Sequence, residues 1–452
     1  MKMKKSITKL LKVIRLNPKP KVTVIGLGYV GFPLACAIAK SNKYEVYGLD
    51  TDKKRVDKIN MRISPVEDKQ AEEDIKKVRI HATTDETIIK KSKFIIICVP
   101  TPINEFRKPD LTPVIQASES ILRNIQKGQI IILESTVNPG VSEEVILPIL
   151  EKNGLKGGID FELVHCPERI DPGSPNWNVY NISRNIGGLT KEGTLEAANF
   201  YRSFLKAEIN EMSSLKTAEA TKIVENIFRD VNIAYVNELA QSFDKLGIDV
   251  HEVIRGSSNK PFAFMPHYPG CGVGGHCIAV DPYYLIDYAE KNGFDHQLLK
   301  VARNVNNSMP NYTVNKLVNG LKDLGINIKG AKIGLLGLSY KANLGDMRES
   351  PALEIKKELI ELGADVLCCD PYCNGHADAV IDEILDNCVA VVLATSHKQF
   401  IAVDDWRNVK LIVDGRNCLN MSNIESQGII YKGIGRGSQS LKAPLMEILN
   451  EI

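Results

Sequence analysis

A chain of 452 residues is too long for one hydrophobic core, so two or three domains are expected. Its 44% hydrophobic and 25% charged residues are ordinary for a globular protein, and a formal net charge of +2 argues against a general attraction to nucleic acid. Ten cysteines with neither a secretory leader nor the paired spacing of a zinc site point to reduced thiols in a cytoplasmic protein without bound metal. The longest aliphatic runs, such as Phe94 to Val99, fall far short of a membrane span, so no integral membrane contact is expected. The first twenty residues, with Lys2, Lys4, Lys5, Lys9, Lys12, Arg15 and Lys19, form a basic extension. A frayed tail is the preferred reading over an amphipathic helix on anionic lipid.

Val22-Thr23-Val24-Ile25 reads as a short strand, followed by Gly26-Leu27-Gly28-Tyr29-Val30-Gly31 and a helical pattern from Pro33 to Lys40. A second strand runs from Val46 and ends at Asp50. Strand, glycine turn, helix, strand and acid in this order make a dinucleotide-binding βαβ unit. The glycines suit a tight turn, close approach of a pyrophosphate and close helix packing; Asp50 would accept the adenosine ribose hydroxyls, which favours NAD over its 2′-phosphorylated form. Further strands are expected at Phe94–Val99, Ile130–Leu133 and Phe161–His165. They end in Thr101, Thr136 and Glu168, which outline a crevice beyond the carboxyl ends of a parallel sheet.

From about Ser213 to Leu246 apolar residues recur at helical spacing with no Gly or Pro. Lys222 and Asn226 share one face of this long helix, as a solvated polar stripe or as part of a site. After Gly330 a second α/β segment begins, with strands at Ile333–Gly337, Ala364–Leu367, Val389–Ala394 and Leu411–Asp414 and a helix from Pro351. It repeats the first architecture without the glycine fingerprint.

Between the two lies Pro269-Gly270-Cys271-Gly272-Val273-Gly274-Gly275-His276-Cys277-Ile278-Ala279-Val280-Asp281-Pro282. Its glycines allow close approach to a ligand, and Asp281-Pro282 reads as an N-cap followed by a first-turn proline. Cys277 would then stand just before a helix start, where the dipole favours a thiolate suited to covalent catalysis. An inert cysteine in a glycine-rich turn is the alternative.

Taken together these motifs resemble the UDP-glucose/GDP-mannose dehydrogenase family from Lys21 to about Gly437. The likeness rests on Val24 to Gly31, Val99-Pro100-Thr101-Pro102, Glu134-Ser135-Thr136-Val137, Lys222 with Asn226, and Gly274-Gly275-His276-Cys277 with Asp281. Ser339-Tyr340-Lys341, Asp346 to Ser350 and Asp414-Gly415-Arg416 complete it. The resemblance implies two Rossmann-like doubly wound domains joined by a central helical region. Residues 21–212 would bind NAD, 213–310 would form the centre with the cysteine loop, and 311–452 would bind the UDP-sugar. It implies Cys277 as nucleophile, with Lys222, Asn226, Asp281, Glu168 and Thr136 around the reacting carbon and its water. Gly26, Gly28, Tyr29, Val30, Gly31, Asp50, Arg55, Thr101 and Thr136 would contact NAD. Glu168, Lys222, Asn226, Gly274, Gly275, Lys341, Arg348 and Arg416 would contact the sugar nucleotide. His276-Cys277 and Tyr268-Pro269-Gly270 resemble the branch acting on UDP-N-acetylhexosamines.

Within that branch Asn259 to Phe264 is more like the UDP-N-acetylglucosamine enzymes, while Val273 to Pro282 also fits those for UDP-N-acetylmannosamine; UDP-glucose is a further alternative. Two features depart from the UDP-glucose branch. Pro172 stands where a second glutamate is usual, and the arginine lent by a neighbouring subunit has only Arg255 as a counterpart. The implied activity is four-electron oxidation at C6 to a uronic acid for surface polysaccharide or glycan precursors, by a homodimer or higher homo-oligomer. A simple alcohol dehydrogenase stopping at an aldehyde or ketone, and a non-enzymatic NAD-binding redox sensor built on Cys277, are the competing readings.

Overall fold

The structure is a computed structural model that describes residues 18–437 apart from 67, 105, 171–176 and 374. The basic extension up to residue 17 and Pro172 therefore lie outside the described residues. Two compact units divide at Val224 and Glu225.

The first unit is built on an eight-stranded sheet of order β3-β2-β1-β4-β5-β6-β7-β8. These strands are β1 (Lys21–Ile25), β2 (Glu45–Leu49), β3 (His81–Thr83), β4 (Phe94–Ile97), β5 (Ile130–Leu133), β6 (Glu162–His165), β7 (Arg184–Gly188) and β8 (Ile209–Glu211). The first six are parallel; β7 runs antiparallel to β6, and β8 is parallel to β7. The central strands are aliphatic runs because both faces are covered. On β4, Phe94 and Ile96 join a cluster with Phe32 and Ile38 of the helix Gly31–Lys40. Ile95 and Ile97 point the other way, into a cluster with Val114 and Ile121 of the helix Thr112–Leu122. This is a doubly wound fold, and it places the carboxyl ends of β1, β4, β5 and β6 along one edge.

The second unit contains a five-stranded parallel sheet of order β10-β9-β11-β12-β13. Its strands are β9 (Lys332–Leu336), β10 (Asp365–Cys369), β11 (Ala390–Leu393), β12 (Leu411–Asp414) and β13 (Ile430–Gly433). Helices Val250–Ser257, Asp281–Lys291 and Gln297–Asp323 precede it, and the long helix Leu215–Leu246 spans the division between units. Four strands have no counterpart among those expected from sequence: β3, β7, β8 and β13.

Both sheets open with the same turn. Gly26 N–H donates to the Leu49 carbonyl at 2.8 Å and Leu27 N–H to the Asp50 carboxylate at 2.7 Å. In the second unit Gly337 N–H donates to the Cys369 carbonyl at 2.8 Å and Leu338 N–H to Asp370 at 2.7 Å. The second acid is saturated, however, because it also accepts from Ser339, Tyr372, Cys373 and His397. The repeat is one of chain path, without the glycine spacing that leaves room for a dinucleotide.

Candidate active site

In the first unit the glycine turn leaves a space of defined shape. Gly26 has φ +88°, and a Cβ there would lie 2.6 Å from the Cys98 carbonyl oxygen; a Cβ on Gly31 would lie 2.0 Å from the Gly26 oxygen. Those two glycines are required by the protein's own packing. A Cβ on Gly28 would meet no protein atom within 4 Å. The helix Gly31–Lys40 that follows has no side-chain cap at Val30 and no acid in its first turn. A helix start without a capping side chain or an acid, beside open space, fits the pyrophosphate of NAD. Tyr29, Val30 and Thr101 lie on the same carboxyl edge, none of them buried. Gly28→Ala is expected to weaken NAD binding about tenfold without lowering the melting temperature. Gly26→Ala is expected to cost about 1–2 kcal/mol of stability. Calorimetry with and without NAD separates the two effects.

Asp50 is almost wholly buried, and both its oxygens face the Arg55 guanidinium, at 3.1 and 2.9 Å. It also accepts the Asp52 N–H at 2.9 Å. Arg55 thus holds the acid that was expected to read the ribose, while its own side chain stays about one-third exposed.

Past β5, Ser135 Oγ donates to the Val99 carbonyl at 2.8 Å, which ties the turn carrying the half-buried Thr136 to the one after β4. Glu168 follows β6, and its N–H donates to the Glu134 carbonyl at 3.3 Å. Burial raises the Glu168 carboxyl above the ordinary range, opposed by the positive charges of Lys222 and Arg184. Beneath it runs a network not foreseen from the sequence. Fully buried Arg184, the first residue of β7, donates to Glu134 at 3.0 Å, and the Tyr201 hydroxyl donates to the other oxygen of Glu134. The available signal was an acid directly after the aliphatic β5, which needs a buried cation or proton. Glu219, one turn before Lys222, was also missed. It accepts the N–H groups of Gly140 at 2.6 Å and Ser142 at 2.8 Å, and burial raises its carboxyl to about 7.

The polar stripe of the long helix is not solvated. Lys222, Asn226, Asp230 and Asn237 are all buried. Within the second unit Asn226 Nδ2 donates to Asp281 at 2.5 Å, Arg303 donates to Asp230 at 2.6 Å, and Asn237 bonds both Asn306 at 2.9 Å and the Gly270 N–H at 3.0 Å. The stripe therefore fixes both ends of the cysteine loop.

Asp281 is not the helix N-cap. Val280, with φ −109° and ψ −47°, already lies in the helical region and provides no side-chain cap, so Asp281 is the first helical residue and Pro282 the second. The Asp281 and Val280 N–H groups donate to the Cys277 carbonyl at 2.8 and 3.0 Å. A residue whose N–H is already used in a helical turn cannot sit in the extended conformation that a cap needs. Its buried carboxylate turns to Asn226 instead.

The glycines of the loop also allow close packing within the protein. Gly275 has φ +87°, and a Cβ on it would lie 2.8 Å from the Tyr340 ring; one on Gly274 would lie 2.6 Å from the Glu349 carbonyl oxygen. Gly275 N–H donates to the Arg348 carbonyl and Cys271 N–H to the Gly415 carbonyl, each at 3.0 Å. The loop lies directly on the segments carrying Tyr340, Lys341, Arg348 and Arg416. Arg348 pairs with Asp346, which raises its guanidinium further, and a thiolate at Cys277 would act on it in the same direction. Arg416 Nε donates to the Ala394 carbonyl at 2.7 Å. Arg255 is exposed on the helix Val250–Ser257, 4.0 Å from Glu252.

All ten cysteines are thiols, and only Cys277 and Cys418 are not buried. Burial, with Asp414 alongside, pushes the Cys418 thiol up to about 12, too high for a nucleophile near neutrality. Among the described residues, no three His, Cys, Asp or Glu side chains converge as metal ligands, and no helix is long and apolar enough to cross a membrane.

The NAD binding, central and UDP binding domains of the UDP-glucose/GDP-mannose dehydrogenase family match residues 20–205, 216–308 and 334–421. The chain is 40% identical over 353 residues to a UDP-N-acetyl-D-glucosamine 6-dehydrogenase of Pseudomonas aeruginosa, covering 78% of this chain and 83% of that one. It is 35% identical over 427 residues to a UDP-N-acetyl-D-mannosamine dehydrogenase of Pyrococcus horikoshii, covering 92% and 99%. The solved structure of a UDP-D-ManNAc dehydrogenase from Pyrococcus horikoshii superposes with a TM-score of 0.86 at 35% identity, over 92% and 99% of the two chains. The chain is an NAD-binding nucleotide-sugar dehydrogenase and belongs to the UDP-glucose/GDP-mannose dehydrogenase family.

Proposed function

We propose that the protein oxidises C6 of a UDP-N-acetylhexosamine, preferentially UDP-N-acetylglucosamine, to the uronic acid through a covalent adduct on Cys277. The reading is supported most by the half-buried Cys277 one helical turn ahead of Asp281, whose carboxylate is held by Asn226 at 2.5 Å. NAD, held at the Gly26–Gly31 turn, supplies the hydride acceptor for each of two oxidations. After the first, the C6 alcohol has become an aldehyde and released one proton. The Cys277 thiolate adds to that aldehyde, forming a carbon–sulfur bond and an alkoxide. Loss of the second hydride gives a thioester, and water cleaves it to the carboxylate and regenerates the thiolate.

Lys222 and Asn226 are donors for the two oxyanions, and such donors are typically worth a few kcal/mol each. Glu168 is the base that takes the proton from water, because its raised proton affinity suits proton transfer near neutrality better than an ordinary carboxylate does. Asp281 orients Asn226 and the water, and Thr136 is assigned to the water and the cofactor. Lys341, Arg348 and Arg416 hold the UDP-sugar. The product serves surface polysaccharide or glycan precursors, and the enzyme acts in the cytoplasm as a homo-oligomer formed through the long helix. The N-acetylmannosamine epimer is the second reading, favoured by 35% identity over 92% of the chain to an enzyme named for it.

Incubation of the purified protein with NAD and each UDP-sugar, counting NADH against sugar consumed, tests the proposal. Two NADH per sugar and faster turnover of the gluco epimer are expected. One NADH per sugar would make the protein a simple alcohol dehydrogenase, and NAD binding without turnover of any sugar would make it a sensor.

A further inference from the structure

The loop from Leu338 to Arg348 carries Tyr340, Lys341 and Arg348, and its shape depends on one unfavourable backbone position. Asn343 has φ +60°, a left-handed conformation that asparagine adopts more readily than other non-glycine residues but that still costs energy unless its surroundings support it. Three contacts do so. Asn343 Oδ1 accepts the Lys398 N–H at 3.1 Å and the Tyr372 hydroxyl at 3.2 Å, and Asn343 N–H donates to His397 Nδ1 at 2.9 Å.

His397 follows β11 and is fully buried, packed against the rings of Tyr372 and Phe400. Nδ1 accepts from a main-chain donor, so the ring proton belongs on Nε2, which faces Asp370 Oδ2 at 3.1 Å. The same nitrogen lies 3.1 Å from Ser339 Oγ, whose hydroxyl donates to the Lys341 carbonyl at 3.2 Å. Asp370 is a rigid partner. Burial pushes its carboxyl up, but the bond from His397 and the N–H groups of Ser339, Leu338 and Tyr372 outweigh this and hold it below the usual range. The imidazole therefore bridges a fixed acid on the sheet to the strained turn of the loop.

We propose that His397 is a positioning residue for the sugar nucleotide: through Nδ1 it fixes the Asn343 turn and thereby the placement of Lys341 and Arg348. This rests on the reading above that those two residues bind the UDP-sugar.

Two substitutions separate the ring's two contacts. In His397→Asn the amide oxygen occupies the place of Nδ1 and still accepts from Asn343. In His397→Gln the amide reaches the place of Nε2 and leaves Asn343 N–H unpaired. The expected result is a KM for the UDP-sugar raised about fivefold in His397→Gln and close to wild type in His397→Asn, with kcat and the KM for NAD unchanged in both. Hydrogen exchange of a peptide covering 339–348 should quicken in the Gln variant alone. Equal effects of the two substitutions, or a matching rise in the KM for NAD, would overturn the proposal. Lys341→Ala is the companion measurement. If it raises the sugar KM while His397→Gln does not, only the role of His397 falls; if it leaves the KM unchanged, the assignment of the loop to the sugar nucleotide falls as well.

Discussion

Replacement of Cys277 by serine is expected to abolish uronic acid formation by at least about a thousandfold while leaving the fold intact. What the turn needs from residue 277 is its carbonyl, which accepts the N–H groups of Val280 and Asp281, and serine keeps that carbonyl. What the proposed thioester route needs is a nucleophile that ionises far more readily than an alcohol. A serine hydroxyl does not, and the carboxylate nearest in sequence, Asp281, is engaged by Asn226. The variant should bind NAD and UDP-sugar normally, melt at the wild-type temperature and fail to yield two NADH per sugar. Wild-type acid production by Cys277→Ser would exclude the thioester route.

The second large effect is expected on stability. Arg184 and Glu134 are both fully buried, and removal of the guanidinium in Arg184→Met leaves the Glu134 charge uncompensated, which costs about 3–5 kcal/mol. In a unit of this size that lowers the melting temperature by about 10 °C. Glu134→Gln added to Arg184→Met should recover most of the loss, because the glutamine removes the stranded charge and keeps an acceptor for the Tyr201 hydroxyl. A single variant as stable as wild type would show that the ion pair contributes little. Arg184 also opposes the upward shift of the Glu168 carboxyl. Without it Glu168 should take up its proton at higher pH, so the acid limb of kcat/KM moves upward if Glu168 is the base.

The parts of the fold that were legible in the sequence are those with unambiguous local signals. β1, β4, β5 and β12 are aliphatic runs covered on both faces, and the glycine turn with Asp50 has a fixed order. β7 was not legible. Arg184-Asn185-Ile186-Gly187-Gly188 looks like a loop, yet it pairs with β6 and β8 and is buried throughout, with Arg184 compensated by Glu134. β3 and β8 are three-residue strands at or near the sheet edge. The misreading at Asp281 has a similar cause. Asp-Pro is a genuine capping signal, but it is overridden when the preceding turn is already helical. Glycines in the cysteine loop signal close approach, and one such approach is to the Tyr340 ring. The buried Glu219 and His397 carry no local pattern, since their partners lie 77 and 79 residues and 54 residues away in the chain.

The long helix also limits what insertions and deletions the chain tolerates. Asn226, Asp230 and Asn237 meet three different partners only because α-helical periodicity brings them to one side. One residue added or removed between Lys222 and Asn226 and absorbed within the helix would turn Lys222 by about 100° relative to this trio. Point substitutions along the outer face should be absorbed easily, whereas a single-codon insertion between 222 and 226 should take Lys222 off the face that Asn226 occupies in one step.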